Sequence, residues 1–244
     1  MVARTGSGSA CRSLFGGFVA WNMGAKEDGS DSGAEQLVDY DHWPEMQILV
    51  LVVSAEKKAV GSTEGMQSPV EGDLLTLRAK NTVPPRMVQI SEAIVKRDMP
   101  TFAELTMLDS DDFHNICHHS IPPLHYMNAV SFRLQKLVRA FNAFRGHVHT
   151  AYTYDAGPNA VIYLLNDELP LFLAAVNHFF PQDAPIRTQE DRLRDPIAAS
   201  PELVHFIASH SGLEPTASQL AYVLHTQVGP GPALLSSDEC LFSQ

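Results

Sequence analysis

The chain has 244 residues, 45% of them hydrophobic and 18% charged, a balance that supports a real core and excludes general disorder. The net charge of −11, from 28 acidic against 17 basic side chains, excludes a protein that coats nucleic acid, whose phosphate contacts need basic surface. It leaves room for an anionic small molecule, which a few placed Arg, Ser and backbone N–H groups can hold locally.

The first distinctive stretch is GSGSACRS, residues 6–13. Its Gly/Ser composition is that of a flexible linker. Against that, Cys11, Arg12, Leu14 and Phe15 come at once, which linkers rarely allow. The other reading is an anion pocket. Glycines let backbone N–H groups approach an anion, Ser7, Ser9 and Ser13 add hydroxyl donors, and Arg12 offers a two-point grip. It is no Walker loop, because the GK[ST] ending is absent.

SLFGGFVAW, 13–21, reads as a strand or turn-strand. Residues 24–42 are acidic and glycine-rich and read as a surface loop. MQILVLVVSA, 46–55, is a continuous apolar run and predicts a strand buried on both faces. VGSTEGM, 60–66, directly after it, reads as an ordinary turn on its own residues.

Helices come next. Pro84 and Pro85 mark a helix start, with Met87, Ile90, Ile94 and Val95 at helical spacing. A second helix is expected to begin near Pro100, with Phe102, Leu105 and either Met107 or Leu108 inward. A third is expected from about Leu124 to Arg145, striped by Val130, Leu134, Leu137, Val138 and Phe141 and ended by Gly146. Between them, His114 and His118 are four apart, with His119 and His125 nearby. Zinc ligands can be spaced so, but no HExxH is present and Pro122 and Pro123 interrupt the segment, so no metal ligand is assigned.

TAYTYDA and NAVIYLL read as strands joined through Gly157–Pro158, LPLFLAAVNHFF as an amphipathic helix, and LAYVLHTQVG, 220–229, as a late strand before GPGP. Without a regular βαβ beat, the fold class expected is α+β with a layered sheet. Asp155 stands where a strand meets the Gly-Pro turn. It is either a turn-forming Asp or a functional carboxylate able to act as general base or to orient a hydroxyl. The three cysteines, Cys11, Cys117 and Cys240, are odd in number, widely spaced and without a CxxC pair. Free thiols in a reducing compartment are expected rather than a disulfide framework. With no signal pattern and no apolar run of about 18 residues, the chain reads as soluble and intracellular, without a membrane partner.

Taken in order, SGSACRS, VLVVSAEKK with GSTEGM, AYTYDAGPNAV and TQVGPGP closely resemble the eukaryotic diphosphomevalonate decarboxylases, a family of the GHMP kinase superfamily. TFAELTMLDSDDFH and PPLHYMNAVS extend the likeness, which is weakest over 22–45 and 181–218. The resemblance implies a reaction: ATP and Mg²⁺ are used to phosphorylate the tertiary hydroxyl of mevalonate 5-diphosphate, phosphate leaves, CO₂ departs after it, and isopentenyl diphosphate remains for isoprenoid, sterol and cholesterol biosynthesis. It implies a cytosolic homodimer. Ser7, Gly8, Ser9, Ala10, Cys11 and Arg12 match the substrate-binding segment, Arg12 being the arginine that meets the substrate's anionic groups. Asp155 matches the carboxylate that deprotonates or orients the attacking hydroxyl, and Thr63, with Ser62 beside it, matches a position near the substrate.

One departure stands out. Family members carry, ahead of SGSACRS, a Tyr-Trp-Gly-Lys stretch and a serine-rich glycine loop for ATP phosphates, and neither occurs here. The expectation is therefore a GHMP kinase-like fold in two parts, a remnant of the N-terminal domain over 1–45 and a C-terminal domain with a mixed sheet packed with helices over 46–244. The chain itself is expected to be a partial or inactive form. The alternatives are a non-catalytic product that keeps a binding or dimerisation surface, or a GHMP kinase that phosphorylates without decarboxylating.

Overall fold

The structure is a computed structural model that describes residues 8–54, 61–65, 67–182, 186–188, 193 and 198–236. Two compact units are present, Met1–Pro44 with Val228–Gln244, and Glu45–Gln227.

In the first unit a 3₁₀ turn, Gly8–Leu14, leads into an antiparallel ribbon of β1 (Phe18–Asn22) and β2 (Gly33–Val38), with an irregular register between Phe18 and Val19. The acidic stretch 24–42 is thus only partly the loop expected. Glu35 and Gln36 occupy exposed positions of β2, while the turn at 24–32 is tied by the Asp31 carboxylate, which accepts from the Ala25 N–H at 2.8 Å. Gly16 and Gly17 lie where backbones cross. A Cβ on Gly16 would strike the Pro230 carbonyl, and Gly17 has φ 71° and donates its N–H to the Gly229 carbonyl at 2.9 Å. Only glycine fits both demands, which is why GG and GPGP belong together. Trp43 is buried and stacks on Phe18, centroids 6.3 Å apart.

The second unit is built on a four-stranded sheet of order β4-β5-β3-β6, with β3 Met46–Val52, β4 Thr150–Thr153, β5 Ala160–Leu165 and β6 Tyr222–Thr226. Its ladders are antiparallel, and a parallel bridge, Arg187 to Leu224, adds to the β6 edge. β3 is central, so its apolar run is covered on both faces, with Leu49 and Leu51 fully buried. Five helices of more than two turns are described: α1 Val83–Lys96, α2 Met99–His118, α3 Ala129–Arg145, α4 Leu169–Phe179 and α5 Pro201–Ser211. α2 and α3 pack on β4, and α4 and α5 pack on α3. Helices and a layered antiparallel sheet make the α+β class expected from the sequence.

Local chemistry sets the helix ends. Asp98 caps α2, its carboxylate accepting from the Thr101 N–H at 3.2 Å. α3 starts later than Leu124 because Asn128 and Ser131 form a reciprocal capping box. Gly146, at φ 72°, ends it. Its stripe Leu134, Leu137, Val138 and Phe141 is fully buried, whereas Val130, in the first turn, is half-buried. Met107, not Leu108, is the inward residue of α2. Val95 of α1 points outward.

A buried ion group locks the end of α3 to the start of α4. The Glu168 side chain is 1% exposed and accepts from Arg145 Nε at 2.8 Å, Arg145 Nη2 at 3.1 Å and His147 Nε2 at 3.0 Å. Burial alone would push this carboxyl up, but the hydrogen bonds from Arg145 and His147 outweigh it and hold it below its ordinary value. A carboxyl with a depressed folded pKa stabilises the fold above its unfolded pKa of about 4.3, and that contribution is lost as pH falls through the lower folded value. Glu168→Gln is therefore expected to cost about 1.5–3 kcal/mol at neutral pH. It should also flatten the acid side of a plot of melting temperature against pH, and a variant whose acid side matched the unsubstituted protein would contradict the assignment.

Candidate functional site

In the first unit, the backbone of Gly8, Ser9, Ala10, Cys11 and Arg12 lies on one 3₁₀ turn, and Ser7 lies outside the described residues. The Cys11 side chain is buried and anchors the turn, while Arg12 is exposed. The turn ends where the Phe15 N–H donates to the Arg12 carbonyl at 3.2 Å, and the glycine crossing at Gly16 and Gly17 fixes the path of the chain into β1. A linker would show neither anchor. Arg12 stands instead on a short, pinned turn, where a guanidinium can meet an anion from solvent with two parallel N–H groups.

In the second unit, Asp155 lies just past β4 and is exposed at the sheet's end. The loop that carries it is fixed from several sides. The Tyr154 N–H donates to Ser110 Oγ of α2 at 3.1 Å, and the Tyr154 hydroxyl donates to the Ser131 carbonyl of α3 at 2.9 Å. Ser131 Oγ donates to the Pro158 carbonyl at 2.9 Å. The Asn159 amide oxygen accepts from the N–H groups of Val53 and Ser54 at 2.9 and 3.1 Å, and its nitrogen donates to the Ser54 carbonyl at 3.2 Å. The Gly157 N–H closes the turn on the Asp155 carbonyl at 2.8 Å. The Asp155 side chain therefore projects from a braced turn. That is the condition for a carboxylate to orient a reacting group rather than merely shape a loop.

Asn159 also ties this loop to the end of β3, after which Ser62–Gly65 forms a single helical turn. Ser62 is exposed there; Thr63 is placed by its backbone on the same turn. Tyr126 links the two segments. A Cβ built on Gly65 would land on the Tyr126 hydroxyl oxygen, and the Tyr126 ring meets the His114 ring edge-on at 6.4 Å, which in turn meets Tyr154 at 6.2 Å. Burial pushes the Tyr126 phenol up, helped by Cys117, Glu64 and Asp155. Burial pushes the Tyr154 phenol up as well, with smaller contributions from Tyr152 and Asp111, so both stay protonated. Tyr126 and Asn159 are not singled out as site residues by the sequence, and His114 enters it only within the histidine cluster. Each stands inside a stretch that carries the resemblance, PPLHYMNAVS, TFAELTMLDSDDFH or AYTYDAGPNAV, but nothing in spacing alone shows that they meet.

The histidines separate. His114 is 1% exposed on α2, and neither ring nitrogen makes a hydrogen bond of ordinary geometry among the described residues. Burial depresses its pKa, with the Tyr154 backbone and the charges of Asp111 and Asp155 partly opposing. His118 faces His125 instead, ring centroids 4.9 Å apart, and burial with its histidine neighbours lowers its pKa. Among the described residues the three donors that approach one another are His147, His149 and Glu168, within 4.8 Å. The Glu168 carboxylate there already takes Arg145 and His147, a cation and an imidazole, which accounts for the group without an ion.

Two family models match the chain. The Mevalonate 5-diphosphate decarboxylase C-terminal domain family matches residues 48–235, and the Diphosphomevalonate decarboxylase-like N-terminal domain family matches residues 1–34. The diphosphomevalonate decarboxylase of Homo sapiens is 50% identical over 98% of this chain and 59% of its own length. Mevalonate diphosphate decarboxylase from Trypanosoma brucei superposes with a TM-score of 0.86 at 39% identity, over 98% of this chain and 63% of that one. A structure of MDDEF in complex with MVAPP, AMPPCP and magnesium superposes with a TM-score of 0.64 at 25% identity, over 93% of this chain and 57% of that one. The chain thus spans about three-fifths of the length of the relatives it matches. With its larger unit matched almost end to end, the chain belongs to the mevalonate 5-diphosphate decarboxylase family.

Proposed function

We propose that this chain serves the ATP-dependent decarboxylation of mevalonate 5-diphosphate to isopentenyl diphosphate. The observation that carries this is Asp155, an exposed carboxylate on a loop braced by Ser110, Ser131 and Asn159, in a chain of this family. In the first step the tertiary hydroxyl attacks the terminal phosphoryl group of ATP, and Asp155 orients that hydroxyl and takes its proton. Phosphate then leaves, positive charge develops at the carbon, and the bond to the carboxylate supplies the electron pair of the new double bond as CO₂ departs. The Asp155 carboxylate favours the developing positive charge. Arg12 holds the substrate's anionic oxygens with a planar fork that lysine lacks.

Mg²⁺, when bound, would neutralise phosphate charge, and the exposed Asp155 carboxylate would be an oxygen donor of the kind it takes. Binding of MVAPP, AMPPCP and magnesium by MDDEF supports ATP and Mg²⁺ as the co-substrate and ion here. The free, buried thiol of Cys117 supports a reducing, cytosolic setting. Among the described residues no helix is long and apolar enough to cross a membrane. The proposal extends to a domain boundary near residue 45, to a homodimer, and to a place in sterol synthesis, as the family resemblance implies.

The function is tested by following ADP formation in the longest natural polypeptide that carries this chain. ADP is expected to appear only when mevalonate 5-diphosphate, ATP and Mg²⁺ are all present. No substrate-dependent ADP would favour a non-catalytic product.

A further inference from the structure

We propose that Tyr126 is a substrate-contacting residue of this site, donating its hydroxyl hydrogen to an anionic oxygen at the reacting end of mevalonate 5-diphosphate. The inference rests on the function proposed above and adds a contact that neither the sequence nor the family match assigns.

Position is the first ground. The phenol lies against Gly65, the last residue of the Ser62–Gly65 turn, so closely that no side chain fits between them. On its other side the ring meets His114 edge-on at 79°, and His114 meets Tyr154 edge-on at 84°. Asp155 is the next residue after Tyr154. Tyr126 therefore spans the gap between the two segments placed near the substrate, and both ends of that span are held.

The second ground is the hydroxyl itself. Tyr126 is half-buried, and among the described residues its hydroxyl makes no hydrogen bond. A polar group that is partly shielded and makes no hydrogen bond to the described residues can be completed by a ligand or by water. Burial, with smaller contributions from Cys117, Glu64 and Asp155, raises the phenol pKa, so it is a donor throughout the neutral range. A neutral donor suits this place: it meets an anion without pairing with Asp155, as a lysine would.

The reacting end is favoured over the diphosphate end because the ring contacts of Tyr126 run through His114 to Tyr154, the residue before Asp155. Isopentenyl diphosphate separates the two ends, since it keeps the diphosphate and lacks both the carboxylate and the tertiary hydroxyl.

The test is calorimetric titration of both compounds into the polypeptide carrying this chain and into its Tyr126→Phe variant. The ring that packs on His114 remains in Tyr126→Phe, so the melting temperature should not move. The dissociation constant for mevalonate 5-diphosphate is expected to rise about tenfold, the worth of one hydrogen bond to a charged group, with isopentenyl diphosphate unaffected. Gly65→Ala should weaken the substrate similarly by displacing the phenol, and should add nothing in the Tyr126→Phe background. Unchanged substrate affinity in Tyr126→Phe, or equal weakening of both compounds, overturns the inference while leaving the function standing. Failure of the unsubstituted protein to bind mevalonate 5-diphosphate overturns the function, and this contact with it.

Discussion

Asp155→Asn is expected to lower turnover by about 10²–10⁴-fold while leaving melting temperature and substrate affinity close to those of the unsubstituted protein. The amide has nearly the shape of the carboxylate. Bonds that brace the loop are made by the Tyr154 N–H and hydroxyl, the Pro158 carbonyl and the Asn159 side chain, and the substitution leaves each of these groups in place. On the proposed mechanism, the substitution removes the proton acceptor and one negative charge beside the reacting hydroxyl. Losing that charge should ease, if anything, the binding of a multiply anionic substrate. If Asp155 only shapes the turn, the pattern reverses: the melting temperature falls and turnover changes little. Melting temperature, affinity and turnover measured on the one variant decide between the two.

Phe141→Ala is expected to have the opposite signature, a large loss of stability with substrate affinity retained in whatever remains folded. Phe141 is fully buried on α3 and meets Phe172 of α4 edge-on, centroids 5.1 Å apart. Truncation leaves a cavity between two helices that cannot close without moving both, at a cost of about 3–5 kcal/mol. For a chain of this size that corresponds to a fall in melting temperature on the order of 10 °C. Chemical denaturation checks it, and a loss below about 1 kcal/mol would mean that the α3–α4 contact is not the core it is taken to be.

Much of the second unit is legible in the sequence because its signals are local. The apolar run of β3, the stripe of α3 and the Gly-Pro turn after β4 each depend on a few neighbouring residues. Two elements escape such a reading. The polar, glycine-flanked residues of β2 read as loop, and its strand state comes from pairing with β1 rather than from its own pattern. α5 lies where the family likeness is weak, although Ser200 as cap, Pro201 in the first turn and Leu203 with Ile207 inward announce it. At the site, Asp155 and Arg12 can be picked out by residue type and context. Tyr126 and His114 cannot, since their meeting depends on which rings the fold brings together. The histidines mislead in the same way: four-residue spacing on α2 suggests a shared face, yet His114 turns into the core and His118 turns to His125.

The central claim is that this chain belongs to a decarboxylase and not simply to a kinase of the same superfamily. The measurement that separates them is the ratio of CO₂ to ADP formed from mevalonate 5-diphosphate labelled in its carboxylate, with ATP and Mg²⁺ present, by the longest natural polypeptide carrying these residues. One CO₂ released for each ADP is the expected result, and Asp155→Asn should suppress both together. ADP formed without CO₂ would contradict the account and make the chain part of a kinase.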